Sequence, residues 1–310
     1  MNGQQAKELF RGPMVSVATP FKDDYSLDIA ALKRNIRYMI DHGVRAGRGT
    51  LLVAAAGGEF PMLSNDERKA VMAASVEAAA GEVAIAASIQ LIPTHEVVEL
   101  ANYAHSVGVQ LGQLSAPYYY PPTAGDVYQL FKTVSEESEL PIMVYANWWV
   151  TPAMDAEMCE RLAALPNVVA LKWSASNIGE YSRGLAQFAD RLALIDNQGP
   201  FVWGHMLGTV GFITHQSNFW PEYPGRIWDL LEAKRYEEVI ALEKRFHWPW
   251  LKWIGKVCAE TEGEGPFIKA AMEEVGLVAG PPRPPAMPVS EALRAELREL
   301  MRSAGTPRVA

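Results

Sequence analysis

Eight short apolar runs recur along the chain, and helix-period segments separate them. The runs are "PMVSVATP", "TLLVAAAG", "VAIAASI", "QLGQLSAP", "PIMVYAN", "VVALKWS", "LALIDN" and "GFITHQS". A brief, mostly aliphatic run with little polar alternation suits a strand buried on both faces, as in a parallel sheet covered by helices. The intervening segments have recognisable ends. "LSNDERKAVMAASVEAAAG" opens with Ser64 and Glu67 in capping-box spacing and stops at Gly81, and "PTHEVVELANYAHSVG" runs from Thr94 to Gly108. Eight βα units within roughly 220 residues predict an α/β fold, a (β/α)8 TIM barrel. An open doubly wound sheet would usually show fewer strands and a G-x-G-x-x-G turn after the first, which is absent.

After "GFITHQS" the chain turns helical, from "PGRIWDLLEAKRYEEVIALEKRF" through a stiff "PPRPPAMP" connector to a last helix, "SEALRAELRELMRSA". The expected organisation is a barrel over 1–221 and a C-terminal helical region over 222–310, packed on the barrel because its apolar stripes need a partner. With 310 residues, 49% of them apolar, a large core is available. No window approaches a membrane span, and "MNGQQAKELF" lacks the apolar stretch of a secretory signal, so a soluble, cytoplasmic protein is expected. Cys159 and Cys258 lack C-x-x-C spacing, which argues against a disulfide framework or a structural zinc. A formal charge of -8 leaves no basic footprint for nucleic acid or an anionic membrane. An anionic substrate would have to be held by local groups.

In such a barrel chemistry collects where strands end. Those positions carry Thr19, Glu59, Ser88, Tyr118, Tyr119, Tyr145, Lys172, Asn197, Gln198, His215 and Gln216. The set contains no H-x-H and no H-E-x-x-H, which disfavours a metal mechanism, and the loop after the eighth run lacks a Gly-rich anion nest, which points to a non-phosphorylated substrate. Lys172 ends an apolar run. A lysine of ordinary pKa, about 10.4, is neutral in only about one molecule in two or three thousand at pH 7, whereas attack on a carbonyl needs the neutral amine. Desolvation can lower a lysine pKa by several units, and Tyr145, ending the preceding run, is a phenol that could carry protons for imine chemistry. The alternative for a strand-end lysine is a buried stem with a solvated head.

With these residues in place the chain resembles the dihydrodipicolinate synthase and N-acetylneuraminate lyase superfamily from Gly12 to about Ser303. The marks are "VATPF", "AAAGGEF" where the family has G-[ST]-T-G-E-[FS], "APYYYPP", "VYAN" and "LKWSAS" around the Schiff-base lysine. The resemblance implies a barrel with a C-terminal helical region, assembled as a homodimer or homotetramer, that handles pyruvate or another 2-oxo acid without a cofactor. It assigns imine formation to Lys172 and proton transfer to Tyr145. It places Tyr119 in a tyrosine pair near a subunit contact. At the loop of Ala56, Gly57 and Gly58 it implies that the glycine amides hold the substrate carboxylate.

The departures from the family pattern are specific. Its hydroxyl pair falls on Ala56 and Gly57, so the side-chain link of the proton relay is missing. The loop "NWWVTP" lacks the arginine that meets a second carboxylate in dihydrodipicolinate synthases, which argues against a dicarboxylate-forming condensation. Ser174 is similar to the sialate-lyase branch, whereas the "YAN" turn is similar to hydratase-aldolases. The expectation is a class I lyase, an aldolase or hydratase-aldolase with a bulky, non-phosphorylated acceptor. Asn147, Ser174, Asn197, Gln198 and His215 would line the variable half of its pocket. A 2-keto-3-deoxy sugar acid dehydratase, a dihydrodipicolinate synthase-like condensing enzyme and a non-catalytic 2-oxo acid sensor are the alternatives. Trp148 and Trp149 fit either an apolar lid or a packing contact, and His215 either a substrate contact or scaffold. Trp173, by strand alternation, should face the helical layer, and the tryptophans of "HWPWLKW" should belong to core or interface.

Overall fold

The structure is a computed structural model that describes residues 1–91, 93–151 and 154–309. All eight apolar runs form strands: β1 (Gly12–Ser16), β2 (Thr50–Val53), β3 (Ala84–Ser88), β4 (Leu111–Leu114), β5 (Ile142–Ala146), β6 (Val168–Trp173), β7 (Ala193–Asp196) and β8 (Gly211–Thr214). They close into a barrel in chain order. Almost every strand residue is buried, as full burial on both faces demands, so the runs show no polar alternation. Between β5 and β6 the parallel register pairs Tyr145 with Lys172.

The chain separates into two compact units. The first comprises Met1–Met14, Arg45–Leu52 and Gly81–Ile213. Its helices Thr94–Ser106, Ala124–Glu137, Ala156–Ala163 and Ile178–Phe188 each follow a strand. Helix Ile178–Phe188 shows how tightly a helix meets a strand. Trp173, on the outward face of β6, donates its indole N–H to Tyr181 O at 3.1 Å, and a Cβ on Gly184 would lie 2.5 Å from the Trp173 ring. The alternation reading of Trp173 is thus borne out. An N-terminal helix, Gly3–Leu9, capped reciprocally by Asn2 and Gln5, packs on β6 and β7. Its short polar sequence gives no periodic signal.

The second unit comprises Val15–Val44, Val53–Ala80 and Thr214–Ala310. Helix Asn65–Ala79 carries the Ser64–Glu67 capping box. The C-terminal helices are Glu222–Glu232, Tyr236–Leu242, Trp248–Glu260, Gly265–Val275 and Glu291–Ala304. Phe219, Phe246, Trp250 and Trp253 stack through their interior, and Trp253 donates its N–H to Leu293 O at 2.9 Å. Trp250 and Trp253 are therefore core, as expected, while Trp248 is exposed. The connector adds something its composition does not announce. Arg283 donates to Glu67 at 2.7 Å and to the carbonyls of Tyr25 and Met62, and its main-chain N–H donates to Glu59 at 2.9 Å. Among the described residues no helix is long and apolar enough to cross a membrane.

Candidate active site

Lys172 lies at the penultimate position of β6 and is only 5% exposed. Its Nζ stands 4.0 Å from the centroid of the Tyr145 ring and donates to Gln113 Oε1 at 3.2 Å. Strand registry explains the first contact, since neighbouring strands about 4.8 Å apart put paired side chains over the same spot. The second comes from β4, one strand further on, and enumeration of strand ends passes it over. A lone amide inside the otherwise apolar "LGQL" was its signal. Both partners favour the ammonium, the ring by its quadrupole and the amide by accepting a proton, while burial favours the free amine.

Around this lysine several expected substrate contacts turn inward to the main chain. Ser174 Oγ donates to Ala146 O at 3.1 Å, and Asn147 Oδ1 accepts the Val150 N–H at 2.8 Å, closing the turn that carries Trp148 and Trp149. Both tryptophans are about half exposed and meet edge to face at 5.8 Å. Gln198 Oε1 accepts the Ala175 N–H at 2.8 Å. Its own N–H and that of Gly199 donate to Asp196 Oδ1 at 2.8 and 3.2 Å. Asp196 is fully buried, and burial raises its pKa against those donors and the Tyr181 phenol. Of the residues expected after β7, only Asn197 keeps a buried donor, Nδ2, without a hydrogen-bond partner among the described residues. Tyr119 is 74% exposed, against Tyr120 at 4.9 Å.

In the second unit the loop after β2 winds a single tight turn, Ala56–Gly58. The Gly57 N–H donates to Ser16 Oγ at 2.9 Å, and the Gly58 N–H to Ala55 O at 3.0 Å. The two amides expected to meet a carboxylate therefore have internal acceptors here. The absence of side chains is enforced by space: a Cβ at Gly57 would lie 2.5 Å from Ser16 Oγ, and one at Gly58 2.8 Å from Val17 O. Ser16 Oγ passes the connection on, donating to Glu264 Oε2 at 3.3 Å, and His215 Nε2 meets the same oxygen at 3.1 Å. His215 also stands edge-on to Phe267. Gln216 Nε2 donates to Nδ1 of the buried His247, whose pKa burial and the His215 charge lower to about 4. Ser16 and Glu264 lie 248 positions apart, so no local pattern could join them. Among the described residues no group of three or more His, Cys, Asp or Glu side chains is arranged to hold a metal ion.

A family model described as the dihydrodipicolinate synthetase family matches residues 9–304. The chain belongs to the dihydrodipicolinate synthetase family. Among relatives in this family, a 4-hydroxy-tetrahydrodipicolinate synthase of Chlorobaculum parvum is 28% identical over 303 residues, covering 95% of this chain and 99% of the relative. The dihydrodipicolinate synthase structure from Aquifex aeolicus superposes with a TM-score of 0.84 at 26% identity, covering 97% of this chain and all of that one. The Acinetobacter baumannii dihydrodipicolinate synthase, complexed with pyruvate, has a TM-score of 0.86 at 24% identity over 96% and 99% of the two chains, a likeness of fold. The family comprises lyases and synthases of the Schiff-base, pyruvate aldolase type.

Proposed function

We propose that the protein is a lyase of 2-oxo acids that works through an imine on Lys172, with a bulky, non-phosphorylated acceptor. The observation that carries this reading is the buried amine at the end of β6, paired in register with Tyr145 and 4.0 Å from its ring. The neutral amine would add to the C2 carbonyl, and loss of water would leave an iminium. In the cleavage direction the C3–C4 bond breaks, its electron pair passes through C2 to the imine nitrogen, and an aldehyde departs. The enamine then takes a proton at C3, and hydrolysis frees pyruvate and the lysine. Tyr145 is assigned the proton transfers at the imine end. The pyruvate bound in the Acinetobacter baumannii relative supports the substrate class.

The resemblance gives the substrate carboxylate to the amides of Gly57 and Gly58. A carboxylate held there competes with Ser16 Oγ and Ala55 O, their acceptors in this structure. Half-exposed Trp148 and Trp149, in a loop without arginine, favour an apolar acceptor over a second carboxylate. Borohydride reduction in the presence of pyruvate tests the chemistry, and a covalent adduct on Lys172, absent from Lys172→Ala, is the expected result. No adduct on the parent would refute the imine. Measuring pyruvate release from a panel of 4-hydroxy-2-oxo acids then identifies the acceptor.

A further inference from the structure

Gln113, Tyr145 and Lys172 belong to one compact unit, and strand register fixes their levels within it. Gln113 pairs with Met143, and Met143 with Ala170, whereas Tyr145 pairs with Lys172 two residues further along. The Gln113 backbone thus lies about 6–7 Å nearer the N-terminal ends of the strands than that of the lysine. Its Oε1 accepts from Nζ at 3.2 Å on that side, away from the C-terminal ends where a barrel admits substrate. At 2% exposure, between Gly112 and Leu114, a carboxamide carries a desolvation cost that an apolar side chain of the same volume would not. What offsets that cost is an acceptor aimed at the reacting nitrogen. An ammonium offers it three N–H groups, a free amine two and an iminium one, so a donor for Oε1 remains at every stage of imine chemistry.

We propose that Gln113 is a catalytic residue of the imine stage, whose Oε1 accepts the iminium N–H of Lys172 and keeps that nitrogen the electron sink. Once the amine has condensed with C2 of pyruvate and water has left, Nζ holds one N–H and a positive charge. A hydrogen bond from a charged donor is stronger than one from a neutral donor, so Gln113 favours the iminium over the neutral imine. In the next step a C3–H bond breaks and its proton passes to water. The freed electron pair becomes the C2=C3 bond, and the C=N π pair withdraws to nitrogen. The enamine keeps the same N–H on Oε1. Direction is set as well: an iminium nitrogen is trigonal, so with Cε and the N–H both fixed, C2 has one place left, away from Gln113. This deepens, and rests on, the imine reading above.

The test uses the full chain and the variants Gln113→Leu and Gln113→Glu, with thermal unfolding to verify that each is folded. Gln113→Met replaces Gln113→Leu if the branched side chain does not pack. Two readouts need pyruvate alone: imine formed, by mass after exhaustive borohydride reduction, and exchange of the C3 protons for deuterium in D2O, by NMR above the rate in buffer. Gln113→Leu should form the imine at least as readily as the parent, yet lose about tenfold or more in exchange per imine at pH 8. Gln113→Glu, which keeps an acceptor oxygen at the same reach, should exchange at the parental rate. A merely structural residue would move both readouts together. Unchanged exchange per imine in Gln113→Leu overturns the assignment. So do equal losses of imine and exchange in that variant, a Gln113→Glu that exchanges no better than Gln113→Leu, or a parent that traps pyruvate and exchanges nothing at C3. A parent that traps no pyruvate overturns the imine reading, and this proposal with it.

Discussion

An amine helps at a carbonyl only while it lacks its third proton, and the neighbours of Lys172 pull in opposite directions on that point. Burial discourages the ammonium, while Gln113 Oε1 at 3.2 Å and the Tyr145 ring at 4.0 Å favour it. Gln113→Leu, a change of similar volume, removes the acceptor and leaves the other two influences in place. A hydrogen bond to a charged group contributes about 1.5–3 kcal/mol, so the pH of half-maximal pyruvate trapping should fall by about one unit or more. Trapping rates of parent and variant across a pH series decide the matter, and an unmoved midpoint would show that Gln113 does not hold the charged form. The lysine and the phenol were legible because each ends an apolar run. Gln113 was hidden inside one, and Ser16, Glu264 and His215 become a group only through folding. Asn147, Ser174 and Gln198, expected as substrate contacts from their places at strand ends, each also bond the main chain, since polar side chains at strand ends serve to satisfy the backbone of a tight turn.

At the scale of elements, burial on both faces made the strands conspicuous, and capping boxes such as Ser64–Glu67 marked helix starts. The closeness of a helix to its strand was not legible, because a glycine in a helical pattern reads only as a weak position. Two glycines with opposite surroundings separate packing from propensity. Gly184 faces Trp173, with 2.5 Å left for a Cβ, whereas Gly255 in helix Trp248–Glu260 has nothing within 4 Å. Gly184→Ala should cost about 1–3 kcal/mol, since the buried indole is bonded to Tyr181 O and the helix must shift. Gly255→Ala should gain about 0.5–1 kcal/mol by helix propensity alone. Urea unfolding of the two variants checks both, and equal changes would remove packing as the cause. Arg283 adds the long-range counterpart. Through Glu59, Glu67 and two carbonyls it ties the connector to segments more than 200 positions earlier.

For the molecule as a whole, buried ionisable groups convert local geometry into a pH dependence of folding. His247 accepts from Gln216 through Nδ1, and burial, with the charge of His215, lowers its pKa from 6.5 to about 4. The unfolded chain therefore binds more protons than the folded one between about pH 4 and 6.5. Stability from this group is fully present above the unfolded value and is lost as pH falls through that window, by up to about 3 kcal/mol. Asp196 acts in the reverse sense. Its raised pKa makes the folded state the better proton binder above 3.8, so its share of stability is present at low pH and declines as pH rises through the raised value. The parent's total slope is thus partly cancelled and cannot be assigned by itself. Comparing urea unfolding of the parent with His247→Gln isolates the histidine, because the Asp196 contribution is common to both. The stability advantage of the parent should shrink by up to about 3 kcal/mol between pH 7 and pH 4. A constant difference across that range would mean that the imidazole charges inside the fold, and the Gln216 hydrogen bond to its Nδ1 would then have to break in acid.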